Sequence, residues 1–282
     1  MIVIGGSSSR GLSADLASVL EADLVHASVS RFPDNECYVR IEREELEEEA
    51  ILVQNSYPDQ NFVELLLLQD AARSLGVKHL TTVIPYFGYA RQDKLFNPGE
   101  ALSARVMSKH LQLHSERIIT VDIHTPAILD WFDEAEAADV RAAPEIGNFF
   151  AESGIDLVLA PDQGASKRAE QVSKVIGVDW DYLVKTRISG SEVRISPKNI
   201  EVRGKNVLIV DDIISTGGTI MAATRELRAM GASTVTAACT HGLFAKGSLP
   251  RLREVCDRVV SANTLEGEAS EVSVAPQLAR FI

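Results

Sequence analysis

The sequence has few of the features that mark secreted, membrane-spanning or disulfide-stabilised proteins. Only three of its 282 residues are cysteine, and their odd number and scattered positions argue against a disulfide framework or a cysteine-based zinc site. No apolar run is long enough to span a bilayer, and the N-terminus lacks the basic segment of a signal peptide. We therefore expect a cytoplasmic protein.

Positive charge is also scarce, because 40 Asp and Glu residues outnumber 28 Lys and Arg residues and give a formal net charge of -12. Such a surface argues against binding to nucleic acid or membranes, so an anionic ligand must meet local basic clusters. The chain also has neither the GxxxxGK[ST] phosphate loop nor the GxGxxG dinucleotide motif. Any ATP must be held by other means.

Short strands rich in Val, Ile and Leu alternate with amphipathic helices along the chain. This alternation predicts an α/β fold with mainly parallel sheets flanked by helices. The pattern restarts near residue 143, and RIITVDIHT (117–125) is similar to NVLIVDDIIST (206–216). We therefore expect two tandem α/β domains, residues 1–142 and 143–282, with ligands beyond the carboxyl ends of the strands.

The most informative segment is VLIVDDIISTGGT (207–219), in which an apolar strand leads through two carboxylates into a polar turn and a helix. The turn offers amides, hydroxyls and a helix N-terminus to phosphate oxygens, and its glycines let the backbone approach an anion. Its residues are Ser215, Thr216, Gly217, Gly218 and Thr219. Asp211 and Asp212 can accept hydrogen bonds from ribose hydroxyls, so the segment predicts a sugar-phosphate site, with a simple turn as the alternative.

A second polar segment, YFGYARQDK (86–94), follows a predicted strand. Arg91, Gln92 and Lys94 suit polyphosphate contacts if they lie directly beyond a buried strand. The alternative is a surface loop whose charges serve solubility alone. The stretch that follows, LFNPGEAL, contains Asn-Pro-Gly and is typical of a loop that closes over a ligand.

Three further groups stand at predicted strand ends. His124 in VDIHT is either structural or functional, and Asp162 in APDQGA suits Mg²⁺, which prefers oxygen ligands. Lys185 and Arg187 in LVKTR form either a solvent-facing basic edge or a pair that neutralises a transferring phosphoryl group.

The segment RFPDNE (31–36) combines an aromatic ring with two acceptors that can hold a base such as adenine. The ring belongs to Phe32, and the acceptors belong to Asp34 and Glu36. A simple β-turn at this position is the alternative.

Taken together and in order, RFPDNE, YFGYARQDK, VDIHT, APDQGA, LVKTR and VLIVDDIISTGGT resemble ribose-phosphate pyrophosphokinases. The likeness runs from the N-terminus to about residue 265. The short chain and the loop QDKLFNPGEALSAR resemble the archaeal-type members. The resemblance implies two tandem phosphoribosyltransferase-type domains, an ATP side in residues 1–142 and a ribose 5-phosphate side in residues 143–282. It also implies transfer of the diphosphoryl group of ATP to the anomeric hydroxyl of ribose 5-phosphate, which yields 5-phosphoribosyl 1-diphosphate and AMP.

The resemblance further implies a role for each candidate residue. ATP would be bound by Phe32, Asp34, Asn35, Glu36, Arg91, Gln92, Lys94 and His124, with the adenine-binding residues supplied by a neighbouring subunit of a homo-oligomer. Mg²⁺ would be served by His124 and Asp162, and the transition state by Lys185 and Arg187. Ribose 5-phosphate would be bound by Arg187, Asp211, Asp212 and residues 215–219.

One departure concerns Asn35, which stands where a glycine is common in the family; Asn tolerates positive φ, so we expect the turn to survive. Two alternative functions stay open. A phosphoribosyltransferase that consumes phosphoribosyl pyrophosphate would have the same sugar-phosphate loop, but it would leave YARQDK and VDIHT without a role. A non-catalytic regulatory homologue would not need His124, Asp162, Lys185 and Arg187 together.

Overall fold

The computed structural model describes residues 1–187, 193–197 and 201–282, and it describes side chains for residues 1–184 and 201–282. The described chain divides into two compact units. The first comprises Met1–Arg141, Thr264–Glu266 and Ser273–Ile282, and the second comprises Ala142–Asn263 and Gly267–Val272. The last ten residues, which the sequence analysis includes in the second domain, therefore belong to the first unit.

The first unit is built around a parallel sheet with the described strand order β2-β1-β5-β6-β7-β8. A separate antiparallel hairpin is formed by β3 and β4. The strands are β1 (Ile2–Gly5), β2 (Asp23–His26), β3 (Ser28–Arg31), β4 (Cys37–Arg40), β5 (Glu49–Val53), β6 (His79–Ile84), β7 (Arg117–Val121) and β8 (Glu136–Val140). The helices before residue 142 are α1 (Arg10–Leu20), α2 (Asp59–Ser74) and α3 (Ser103–Leu111), and a 3-10 helix spans Pro126–Trp131.

The second unit contains a sheet with the described order β11-β10-β9-β12-β13-β14-β15, in which only the β10–β11 pair is antiparallel. Its strands are β9 (Leu157–Ala160), β10 (Asp179–Arg187), β11 (Val193–Pro197), β12 (Asn206–Ile214), β13 (Thr234–Gly242), β14 (Arg258–Ala262) and β15 (Ser270–Val272). Its helices are α4 (Ala143–Phe150), α5 (Ser166–Ile176), α6 (Gly218–Ala229) and α7 (Ser248–Arg253), and a short 3-10 turn spans Ala245–Gly247. The final helix, α8 (Ala275–Ala279), packs on α1 of the first unit.

The predicted fold class is confirmed, because both units are α/β domains with mainly parallel sheets. The sheets also share one plan, since β2-β1-β5-β6-β7-β8 and β10-β9-β12-β13-β14-β15 have the same connectivity. The sequence similarity between residues 117–125 and 206–216 does not follow this plan. It compares β7, the fifth strand of the first order, with β12, whose counterpart is β5. The two segments share only the local pattern of an apolar strand followed by Val-Asp.

Helix α2 shows how the sequence forms the core of the first unit. It begins after Pro58 and ends before Gly76, which adopts φ 100°. Leu65, Leu68 and Ala72 recur at helical spacing on one face and are fully buried in the core of the first unit. This packing fixes the helix that follows β5, and therefore the loop between them.

We expect Leu68→Ala to lower the free energy of unfolding of the first unit by about 2–5 kcal/mol, because it removes fully buried methyl groups and leaves a cavity. The neighbouring Leu67 is 38% exposed and provides the control, since Leu67→Ala should cost well under half as much. Urea unfolding of both variants measures the difference. Equal losses would contradict the assigned buried face.

Candidate active site

The predicted sugar-phosphate segment lies at the carboxyl end of β12. The sequence predicts a strand that ends at the two carboxylates, but β12 continues through Asp211 and Asp212 to Ile214 before the turn begins. The hydroxyl of Ser248 donates to the carbonyl oxygen of Ser215 at 2.8 Å and holds the start of the turn. The N-terminus of the twelve-residue helix α6 follows directly, so its free amides lie in the same turn.

Gly217 is required at its position for two reasons. It adopts φ 72°, a left-handed conformation that favours glycine. A Cβ atom at this position would also lie 2.9 Å from Cδ1 of Leu252, which is too close. Thr216, Gly218 and Thr219 are exposed around it, so the turn presents its amides and hydroxyls to solvent.

Asp211 and Asp212 form a half-buried acidic pair. Burial first, and then the charge of Asp212, raise the pKa of Asp211 to about 7, although nearby Arg168 opposes the shift. The amide of Asp212 donates to Oδ1 of Asp211 at 2.9 Å. The pair is therefore expensive to ionise fully, and a ligand that donates hydrogen bonds to it would relieve that cost.

Asp162 emerges at the same edge of the sheet as this pair. Strand β9 lies parallel to β12 with Leu159 opposite Ile209, and Asp162 follows two residues after β9. Its carboxylate is exposed, and Oδ1 accepts a hydrogen bond from the amide of Ala165 at 3.2 Å. An exposed carboxylate beyond a buried strand can bind a cation.

Lys185 and Arg187 lie near the end of β10, the next strand of this sheet. Tyr182 is the last residue of β10 that pairs with β9, and it lies opposite Ala160. Beyond Tyr182, β10 extends past the end of β9 and pairs with β11. The side chains of Lys185 and Arg187 fall outside the described part of the chain. Their predicted roles stay predictions.

In the first unit, the predicted polyphosphate segment and the predicted histidine lie on neighbouring strand exits. Arg91 and Lys94 are exposed in the turns that follow β6, and His124 is exposed in the loop after β7. The hydroxyl of Thr125 donates to Oδ2 of Asp93 at 2.9 Å and joins the two loops. The structure therefore brings together two motifs that lie about thirty residues apart.

The loop between Gln92 and α3 is organised by one carboxylate. Glu100 accepts hydrogen bonds from the amide of Phe96 at 2.7 Å and from the side chain of Asn97 at 2.6 Å, and these contacts lower its pKa. The side-chain amide of Gln92 points to the same region, 3.3 Å from the carbonyl oxygen of Lys94.

A partly buried ionic cluster at the start of the loop that carries His124 was not predicted from the sequence. Arg141 contacts Oδ1 of Asp122 at 3.2 Å and Oδ2 of Asp139 at 3.3 Å. Asp139 also accepts hydrogen bonds from Thr120 and from the amide of Ile123, both at 2.8 Å, while burial raises its pKa to about 6. Asp122 adopts φ 43°, so β7 ends at Val121 rather than at His124. The contacts of Asp122 and Asp139 therefore fix the start of the loop that carries His124. The Val-Asp ending of the strand was the available signal.

The predicted adenine-binding residues form the β3–β4 hairpin, and all four are exposed. Asn35 adopts φ 73°, the left-handed conformation expected of it. The ring of Phe32 is 50% exposed and packs edge-on against Tyr38, which is 43% exposed, at a centroid distance of 5.7 Å. Asn35 and Glu36 also line a cavity of about 510 Å³, together with Arg31 and Cys37 of the hairpin and residues of the first turns of α2.

The donors suit a magnesium ion only in part. Among the residues that the structure describes, no group of three or more His, Cys, Asp and Glu side chains could hold a metal ion. Asp162 supplies an exposed oxygen, whereas His124 supplies a nitrogen, which Mg²⁺ seldom prefers. Since Mg²⁺ commonly keeps several waters and takes substrate phosphates as ligands, one carboxylate at this edge fits a substrate-bound ion.

Comparison with known families and structures agrees with this arrangement. Residues 1–114 match the N-terminal domain of ribose phosphate pyrophosphokinase, and residues 127–277 match the phosphoribosyl transferase domain. The ribose-phosphate pyrophosphokinase of Pyrococcus furiosus is 40% identical over 285 residues and covers 100% of both chains. That of Methanosarcina acetivorans is also 40% identical over 285 residues, with 100% of this chain and 99% of the relative covered.

The chain belongs to the ribose-phosphate pyrophosphokinase family. A solved structure agrees: the phosphoribosylpyrophosphate synthetase of Mycobacterium smegmatis superposes with a TM-score of 0.82 at 28% identity and covers 99% of this chain and 96% of that one. Both the predicted family and the predicted enzyme class, a transferase of nucleotide biosynthesis, are confirmed. Within the described residues, no helix combines the length and apolar character needed to cross a membrane.

The raised pKa of Asp211 leads to a prediction about stability. Because the folded protein favours the protonated carboxyl, its contribution to stability is full below the unfolded pKa of 3.8 and is lost as the pH rises through about 7. Asp211→Asn stays neutral and should raise the melting temperature of the ligand-free protein, by several degrees at about pH 8 and by less at about pH 5.

Glu254→Gln serves as the control for this prediction, because Glu254 is exposed and its removal should change the melting temperature little at either pH. Differential scanning calorimetry measures both variants. A lower melting temperature for Asp211→Asn at about pH 8 would refute the proposed cost of ionising the pair.

Proposed function

We propose that this chain transfers the diphosphoryl group of ATP to the anomeric hydroxyl of ribose 5-phosphate. The anomeric oxygen forms a bond to the β-phosphorus, the bond from that phosphorus to the oxygen shared with the α-phosphate breaks, and AMP leaves. The proton of the hydroxyl is released to water. The observation that carries the proposal is the carboxyl end of β12 and the turn after it, which combine an acidic pair, three hydroxyls and a helix N-terminus in a family of ribose-phosphate pyrophosphokinases.

Ribose 5-phosphate is bound by residues that surround this turn. Asp211 and Asp212 accept hydrogen bonds from the two ring hydroxyls, which supply the donors that a half-buried acidic pair needs. The 5-phosphate is bound by amides and hydroxyls of Ser215, Thr216, Gly217, Gly218 and Thr219, with Arg187 as a cationic partner. Phosphoryl transfer depends mainly on positioning and charge neutralisation. Binding of both the ring hydroxyls and the 5-phosphate therefore contributes directly to catalysis.

ATP is bound by the exposed groups of the first unit. Arg91, Gln92 and Lys94 contact its phosphates, and the hydrogen bond between Asp93 and Thr125 supports their loop beside His124. Lys185 and Arg187 neutralise the charge that develops as the diphosphoryl group moves.

Mg²⁺ is the proposed cofactor. Asp162 would hold an ion near the ribose, and His124 would serve the nucleotide-bound ion, through a water molecule if oxygen ligation prevails. The ion would supply positive charge to the phosphate oxygens. Asp162 is suited to this role because its carboxylate is exposed at the strand end.

The adenine is bound by Phe32, Asp34, Asn35 and Glu36 of a neighbouring subunit, which makes the working protein a homo-oligomer. The half-exposed ring of Phe32 supports this, since a large aromatic ring at a hairpin tip offers a stacking surface. The thiols of Cys37, Cys239 and Cys256 are free, and they suit the reducing environment of the cytoplasm.

The nucleotide product tests the reaction directly. With ATP, Mg²⁺ and ribose 5-phosphate, we expect AMP and 5-phosphoribosyl 1-diphosphate in equal amounts, because the whole diphosphoryl group moves. Chromatography of the nucleotides distinguishes AMP from ADP. Formation of ADP, or no turnover, would refute the proposed reaction.

Lys185→Ala tests charge neutralisation in the transition state. We expect kcat to fall by about 10²- to 10³-fold with little change in either KM, since the lost interaction forms mainly in the transition state. Lys205→Ala, which removes a lysine from the segment before β12, is the control and should leave kcat within about twofold. A loss in kcat of less than about tenfold for Lys185→Ala would remove this residue from the catalytic group.

A further inference from the structure

Glu64 is a buried carboxylate in the middle of the apolar helix α2. Its side chain is 1% exposed, and the described residues place no Lys or Arg within ion-pair distance of it. It accepts hydrogen bonds from the amide of Ser7 at 2.8 Å, the hydroxyl of Ser7 at 2.7 Å and the side-chain amide of Gln54 at 2.8 Å. Burying a carboxyl group without a cationic partner is costly, so its presence at this position calls for an explanation.

A chain of hydrogen bonds connects Glu64 to the loops that follow β1 and β5. Gln54, directly after β5, accepts bonds from the amide and the hydroxyl of Ser8, at 3.1 and 2.7 Å. The hydroxyl of Ser8, in the loop after β1, accepts the amide of Asn55 at 3.2 Å. Asn55 also donates to the carbonyl oxygens of Ser8 and Thr264, at 3.4 and 3.0 Å. The orientation of the Asn55 side chain is therefore fixed from several sides.

The path ends at the segment that carries Arg91 and Gln92. Oδ1 of Asn55 accepts the amide of Tyr86 at 2.7 Å, and the hydroxyl of Ser56 accepts the amide of Gly88 at 2.8 Å. Both bonds are buried. Together with the backbone bond from the amide of Ser56 to the carbonyl oxygen of Tyr86, at 3.4 Å, they connect the chain that leaves β6 to the loop after β5 before it turns toward Arg91.

We propose that Glu64 is a positioning residue for residues 86–92 and acts through Gln54, Ser8 and Asn55. The proposal rests on the proposed function, because it takes Arg91 and Gln92 as contacts of the ATP phosphates. Displacement of such groups by about 1 Å can cost about 10²-fold in rate. Glu64 itself touches no substrate.

Ser8→Ala tests the middle of the path with a small change. It removes the hydroxyl that joins Gln54 to Asn55, and we expect the KM for ATP to rise about tenfold while the KM for ribose 5-phosphate stays within about twofold. Ser7→Ala is the matched control. It removes a neighbouring hydroxyl that also bonds to Glu64 but lies off the path, and both KM values should stay within about twofold.

Glu64→Leu tests the origin of the path, because it removes the carboxylate that accepts the three hydrogen bonds from Ser7 and from the side-chain amide of Gln54. It should raise the KM for ATP at least as much as Ser8→Ala. Glu64→Gln retains an oxygen that can accept the Ser7 amide and Gln54, and it should restore the KM to within about threefold of the wild type.

Gln69→Leu controls for the loss of buried hydrogen bonds on the same helix. Gln69 is fully buried and donates to Leu111 and Ser115, away from the strand exits. It should lower the melting temperature without a selective change in the KM for ATP. If Glu64→Leu does not fold, Ser8→Ala alone decides.

Hydrogen exchange supplies a readout that does not need activity. In Ser8→Ala, the Tyr86 amide should exchange about tenfold faster, whereas the Leu80 amide, bonded to Glu116 at the other end of β6, should be unchanged. An unchanged Tyr86 amide together with an unchanged KM for ATP would overturn the proposal, and so would equal rises in both KM values. If the wild type forms no AMP, the proposed function fails, and the Tyr86 amide still tests the path.

Discussion

Buried carboxylates near the carboxyl ends of parallel strands determine how this molecule presents its polar loops. A carboxylate that leaves water must gain hydrogen bonds or a cation, or it takes up a proton. Glu64 and Asp139 each have three such partners within the first unit. Burial first, and then the charge of Asp212, raise the pKa of Asp211, so its environment suits a ligand with hydroxyl donors. The first two carboxylates bond to neighbouring segments of the chain, and the third is the one that we propose to bind a substrate.

Local chemistry made much of the fold and the candidate site predictable from the sequence. The apolar strands, the glycine turn at Gly217 and the positive φ of Asn35 depend on residues next to one another in the chain. Motifs placed directly after such strands emerge at the carboxyl edge of a sheet, because parallel connectivity allows little else. The sequence alone therefore places Arg91, His124 and Asp162 beyond strand ends.

The supporting contacts could not be predicted, because they join residues that are distant in the sequence. Glu64 bonds to Ser7 across 57 positions, and Asp122 pairs with Arg141 across 19. In the sequence, Glu64 only interrupts an apolar helix. The packing of helix α8 on α1 also joins residues that are distant in the sequence. No local pattern near residue 275 indicates that the end of the chain belongs to the first unit.

Because the two sheets have the same strand order, the contacts around Glu64 can be compared with the equivalent loops of the second unit. Strands β1 and β5 of the first unit correspond to β9 and β12 of the second, so the loops after them occupy equivalent corners of the two sheets. In the first unit the polar groups of this corner bond within the protein, because Ser7 and Gln54 donate to Glu64 and Ser8 donates to Gln54. In the second unit the equivalent loops leave Asp162 and Thr216 exposed. The same strand order therefore accompanies two different arrangements: polar groups at one corner bond to the protein's own carboxylate, and those at the other are exposed, as the proposed ribose 5-phosphate site requires. This difference agrees with the prediction that the groups for the ATP phosphates in the first unit follow β6 and β7 rather than β1 and β5.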